Sequence, residues 1–171
     1  MLKSKFMPSI VLSIICVVTV LILAIVNTFT APVIKNNEEI KTQNALLEVM
    51  PDGGSFTEIA DISSLPEQVV GAYQSEDGGY VFKLSVKGFK TGLVIMCGID
   101  SDGKITGSKT ILSSETNGAE YDLDSMYVDK TSENYNDVDL IARSTLTSKG
   151  YRLAIEKAFD AYVILKGGKA E

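Results

Sequence analysis

No charged residue occurs between Lys5 and Lys35, and the heart of that interval, Ser9 to Val26 (SIVLSIICVVTVLILAIV), is almost wholly aliphatic. An α-helix rises about 1.5 Å per residue, so roughly 20 apolar residues cross a hydrocarbon core of about 30 Å. The run is long enough to span a membrane, and everything else in the chain must be read as what that span holds. A cleaved signal peptide has a shorter apolar region ending at small residues. Here the first candidate cleavage site ends at Ala31, with Phe29 two positions earlier and Pro32 directly after, so the segment is expected to be retained. A lipoprotein site at Cys16 fails because Ile15 stands where a small residue is needed. Lys3 and Lys5 precede the span without an acidic neighbour, whereas all 22 acidic residues follow it. A basic flank stays in the cytoplasm. The expectation is a single-pass protein of the inner cell membrane with its C-terminal body on the outer side.

Beyond the span, the 171 residues leave enough chain for one ordinary domain. The sequence has no histidine, which excludes Ser-His-Asp and Cys-His nucleophile systems and the commonest zinc sites. Its net charge of -6 argues against nucleic-acid binding, which needs a basic face. The two cysteines cannot pair, since Cys16 lies in the span and Cys97 in a strand-like run; both read as small hydrophobes. Chemistry beyond hydroxyls and carboxylates therefore requires a cofactor.

The expected organisation is a membrane anchor over residues 1–30, an amphipathic helix over 31–54 and a folded domain over 55–171. Asn27 to Thr30 reads as a polar interfacial stretch, and Ala31-Pro32 as the start of a new helix. Val33, Ile40, Ala45, Leu46, Leu47, Val49 and Met50 give that helix an apolar face, and Pro51 to Gly54 ends it. A loop follows to Pro66. Strands are expected over Val69–Gln74, Tyr80–Lys87, Leu93–Ile99 and Lys104–Ser113, joined by turns at Asp77-Gly78-Gly79 and Ser101-Asp102-Gly103. The acidic stretch from Glu115 to Asp137 reads as an irregular surface lobe. A last helix is expected from Lys149, capped by Thr147 or Ser148 and stopped by Gly167-Gly168. The fold class is thus α+β: an antiparallel sheet with packed helices, preceded by one transmembrane helix.

Two places hold candidate chemistry. Ser144, Thr145, Thr147 and Ser148 crowd the start of the last helix, where unpaired backbone N–H groups favour an anion, above all a phosphate. Taken alone, the same residues are also ordinary helix caps. Glu115-Thr116-Asn117-Gly118 follows the last strand, and its glycine suits either a tight turn or close approach of a ligand to the backbone.

Together with the span, TAP (Thr30–Pro32), GIDSDGKITG (Gly98–Gly107), SETNG (Ser114–Gly118) and DLIARSTLTS (Asp139–Ser148), these places resemble the FMN-binding domain family. The resemblance covers nearly the whole chain. It is to the G subunits of Rnf ion-translocating electron-transport complexes and, similarly, to the C subunits of sodium-pumping quinone reductases. The family motif Asp-x-x-Ser-Gly-Ala-Thr-x-Thr-Ser carries FMN through a phosphoester on its first threonine, which implies Thr145 here. The resemblance further implies cofactor contacts from Thr147, Ser148, Ser144, Arg143, Glu115, Thr116 and Gly118, with Asp139 recognised by a flavin transferase. The other complex subunits, that transferase and membrane lipid are the implied partners. The implied role is that of a non-autonomous electron carrier in a ferredoxin:NAD-type translocase. The sequence departs from the motif at Ala142-Arg143-Ser144, which replaces Ser-Gly-Ala, and at Asn117, Ala119 and Glu120 in the family's Glu-Thr-Pro-Gly-Leu-Gly. These departures leave open a flavin-free relative acting as a structural or assembly subunit, and the anchored architecture alone leaves open a small-ligand sensor.

Overall fold

The uncharged run and the polar residues after it form one helix, α1 (Lys3–Val49), in a computed structural model that describes residues 3–167. The break expected at Ala31-Pro32 does not occur. No glycine precedes Gly53, and Pro32 removes a single rung of the helical ladder. The hydroxyls of Thr28 and Thr30 donate to the carbonyls of Ala24 (2.9 Å) and Val26 (2.8 Å) within the same helix. Ile10–Pro32, 23 residues with none of the segment buried, is long and apolar enough to cross a membrane. The chain divides into two compact units, residues 1–42 with the span and residues 43–171 with all the rest.

In the second unit, a five-stranded antiparallel sheet runs β1-β2-β3-β4-β5 in simple sequence order. The strands are β1 (Phe56–Glu58), β2 (Val69–Ser75), β3 (Tyr80–Lys87), β4 (Thr91–Ile99) and β5 (Ile105–Leu112). β1 lies where a loop was expected; three residues pairing Phe56 with Ser75 are too few to show a period in sequence. On one face, Phe82, Leu84 and Val86 of β3 join Ile95, Cys97 and Ile99 of β4 in the main core. On the other, Val81 and Met96 meet Ala45, Leu46, Val49 and Met50 from the end of α1. Both faces of β4 are therefore covered, as its unbroken apolar sequence requires. Of the apolar face expected on this helix, Ile40 and Leu47 are exposed. The helix end sits close because Gly98 and Gly107 pair across β4 and β5, and a Cβ on Gly107 would lie 2.7 Å from the Val49 carbonyl oxygen. Thr106 donates its hydroxyl to that same oxygen at 2.6 Å.

The main core is closed by α2 (Ala119–Met126) and α3 (Thr145–Leu165). α2 corrects the reading of Glu115–Asp137 as irregular. Its Ala119 and Leu123, with Tyr127 just after it, recur at four-residue spacing and are buried, although acidic residues dominate the composition around them. Tyr127 stacks on Tyr151 of α3 with centroids 5.3 Å apart. α3 begins four residues before the expected Lys149, so Thr147 and Ser148 belong to its first turn and Ser144 is its N-cap residue. Gly167, at φ 83°, follows its last turn; Gly168 lies outside the described residues. Cys16 and Cys97 are both free, and burial pushes the Cys97 thiol up to about 12.

Candidate functional site

Three segments converge at one end of the sheet: the β3–β4 turn at Gly88–Lys90, the β5–α2 loop from Ser113, and the loop entering α3. The turn presses on α3, since a Cβ on Gly150 would lie 2.5 Å from the Lys87 carbonyl oxygen and 2.9 Å from the Gly88 Cα. Only residues without side chains allow that approach.

Glu115 ties the three segments together. Its carboxylate accepts hydrogen bonds from the Thr147 hydroxyl (2.5 Å), the Lys90 N–H (3.0 Å) and the Phe89 N–H (3.2 Å). Burial pushes its pKa up, but the bonds from Thr147, Lys90 and Phe89 and the charge of Lys90 outweigh it, so the carboxyl titrates below its ordinary range. Asn117 donates its amide to the Arg143 carbonyl (3.3 Å) and the Ser144 hydroxyl (3.4 Å), fixing the entry to α3. Arg143 itself has φ 65°. This left-handed conformation is the one a glycine adopts freely, and it falls where the family motif has its glycine. The arginine keeps that backbone turn and adds a guanidinium beside it.

The segments enclose a half-open cleft of about 330 Å³. Arg143, Ser144, Thr145 and Thr147 line one part of it, Glu115, Thr116 and Asn117 another, and Phe89 and Leu146 an apolar part. Of the residues singled out from sequence, Ser148, Gly118 and Asp139 do not line it. Ser148 is fully buried: its hydroxyl accepts from the Ile141 N–H (3.1 Å) and donates to the Ser144 carbonyl (3.0 Å). Its own N–H donates to the Ser144 carbonyl at 2.9 Å as the first helical bond, so it is not free for an anion. Gly118, φ 70°, is the N-cap residue of α2, and Asp139 is exposed on the loop before α3.

The four hydroxyls of the motif are thereby sorted. Thr147 is held by Glu115, Ser144 by Asn117 and Ser148 by the loop backbone. Thr145 is exposed at the first position of α3, and its hydroxyl has no partner among the described residues. The N–H groups of the first turn, Thr145 to Thr147, have no helical acceptor by geometry, and the Ser144 side chain does not cap them. An unpartnered hydroxyl, free donors, the positive end of a helix dipole and an arginine thus meet at one cleft, an arrangement whose chemistry suits a phosphate-bearing ligand. Sequence reasoning missed Phe89, Leu146 and the bracing role of Asn117. An aromatic in a Lys-Gly-Phe-Lys turn was the available signal for the first.

The fold and site define an anchored α+β protein whose cleft suits a phosphorylated cofactor. Residues 88–160, which include the whole cleft, match the FMN-binding domain family, and residues 1–49 match the RnfG N-terminal region. Over 94% of its length the chain is 25% identical to the G subunit of the Na(+)-translocating ferredoxin:NAD(+) oxidoreductase complex of Acetobacterium woodii, covering 92% of that protein. Together these matches support an RnfG-type subunit.

Proposed function

We propose that this chain is the membrane-anchored electron-carrier subunit of an Rnf-type complex and holds FMN as a phosphoester on Thr145. The observation that supports it most directly is the sorting of the hydroxyls, which leaves Thr145 as the one motif hydroxyl without a partner among the described residues. In the attachment step a bond forms between Thr145 Oγ1 and the flavin nucleotide's phosphorus. The hydroxyl proton passes to water, and the phosphoanhydride bond that activates that phosphorus breaks, its other half leaving as a nucleoside monophosphate. A partner flavin transferase supplies the activated nucleotide and reads the exposed Asp139 six residues upstream. The first-turn amides and the Arg143 guanidinium offset the remaining phosphate charge. Glu115 keeps Thr147 and the β3–β4 turn in place, and its own negative charge is met by three donors and Lys90. Bound here, FMN supplies the redox chemistry that a chain without histidine or paired thiols lacks.

The tether makes the cofactor a fixed relay between the other subunits of the complex, with lipid around the span and the body on the outer face of the membrane. The flavin-free reading rests on the departure at Ala142-Arg143-Ser144; the left-handed turn at Arg143 keeps the backbone conformation that the motif's glycine adopts, which favours the flavin-bearing reading. Intact-mass measurement of the full chain made together with the transferase tests the proposal. A gain of one FMN less one water is expected, and an unshifted mass overturns the covalent claim.

A further inference from the structure

Phe89 is unusual in being both exposed and held. Its side chain is 57% exposed at the tip of the β3–β4 turn, yet the backbone beneath it is pinned. The Glu115 carboxylate takes the N–H of Phe89 and of Lys90, and the Gly88 N–H donates to the Lys90 carbonyl at 3.1 Å. Single exposed apolar side chains are common on protein surfaces and need no function. This one lines the same cleft as Thr145 and Arg143, and so does Leu146, which is also 57% exposed although it sits on the first turn of α3. The cleft therefore has a polar part built for an anion and an apolar part built for a flat or greasy group.

We infer that Phe89, flanked by Leu146, is the contact surface for the isoalloxazine ring; this rests on the assignment of the cleft to FMN. A flavin nucleotide divides its chemistry the same way, with an anionic phosphate at one end and an aromatic tricycle at the other. An aromatic side chain on a pinned backbone offers a stacking face at small entropic cost, and stacking is the interaction a planar ring gains most from. The cleft's volume of about 330 Å³ is near the lower end for small-molecule sites. It is half open to solvent, so Phe89 covers part of the ring and leaves the rest accessible for electron exchange. An exposed Phe89 that served instead as a contact for a partner subunit would leave the flavin's own spectrum untouched, and that difference is measurable.

The test compares wild type, Phe89→Ala and Phe89→Tyr in the full chain in detergent. Intact mass reports FMN loading, and flavin fluorescence and the visible absorption band report the ring's surroundings. Expected are equal loading in all three, a visible absorption band shifted from that of free FMN in wild type and Phe89→Tyr, a several-fold loss of fluorescence in Phe89→Tyr, whose phenol donates an electron to the excited flavin, and a solvent-like absorption band in Phe89→Ala. Loaded Phe89→Ala with the wild-type absorption band overturns the inference and points to a protein contact. If mass shows no covalent FMN in any variant, the Thr145 linkage fails on its own, and free FMN is titrated into the Thr145→Ala chain with and without Phe89→Ala. FMN affinity that weakens about tenfold when Phe89 is removed supports the ring contact. Equal affinity in both, or no binding in either, overturns it.

Discussion

Arg143 sits in the left-handed region at φ 65°, a conformation that a side chain with a Cβ pays for and glycine does not. Arg143→Gly is therefore expected to raise stability by up to about 1 kcal/mol, since relief of strain exceeds the added freedom of the unfolded chain. Denaturant unfolding of the two chains checks it, and a loss of stability would show that the guanidinium matters more than the backbone. Glu115 gives a prediction of opposite kind. Its folded-state pKa is lowered, so its stabilising contribution is full above the ordinary value of 4.5 and is lost as pH falls through the lower folded value. The stability difference between wild type and Glu115→Gln should be constant near neutral pH and vanish in acid. A difference that instead grows in acid would contradict the clasp between Glu115, Thr147 and the β3–β4 turn. At this scale the sequence showed the residue types well. Thr145 and Glu115 were singled out through the family motifs they resemble, because hydroxyls at a helix start and a polar turn after a strand, taken alone, read equally as a cap and a turn. The backbone bonds of Ser148 were not legible, because burial decides whether a hydroxyl serves a ligand or the backbone, and burial is not written in the residue itself.

The strands β2 to β5 were legible because alternation and glycine turns report directly on the sheet. β1 was not, since a three-residue edge strand is held by its partner's hydrogen bonds rather than by its own pattern. α2 was hidden by Glu120, Asp122 and Asp124, though one face of it packs on the core. The early start of α3 matters most for the site. It moves Thr145 from a loop onto the first helical turn, where the free donors are. The position of that turn depends on the contact of α3 with the β3–β4 turn at Gly150. Gly150→Ala puts a Cβ within 2.5 Å of a backbone oxygen and is expected to cost about 1–3 kcal/mol while lowering flavin loading. Thermal unfolding together with intact mass checks both parts. Unchanged stability would show that the two backbones approach less tightly than this. Deeper in the core, Tyr151 donates its hydroxyl to Asp124 at 2.8 Å, and burial raises the Asp124 pKa. Tyr151→Phe leaves that carboxylate short of a donor and is expected to cost about 1–3 kcal/mol by the same measurement; a change near zero would contradict it.

The whole molecule joins a span without charged residues to an acidic domain that has no histidine and no usable pair of thiols. That combination was legible from the start, because an uncharged run of this length has few alternatives. The continuity of α1 through Pro32 was not, since proline reads as a boundary in sequence even where it removes one hydrogen bond alone. If the body lies on the outer face, a reporter enzyme that matures only outside the cytoplasm should be active when fused after Glu171. Activity confined to a cytoplasmic reporter would reverse the topology. The central claim is that one hydroxyl, Thr145, tethers the cofactor. The most direct measurement is the intact mass of the full chain produced with its flavin transferase, beside the Thr145→Ala variant. Wild type is expected to be heavier by one FMN less one water and Thr145→Ala to keep its bare mass; an unshifted wild type, or a shift that survives in Thr145→Ala, would contradict the claim.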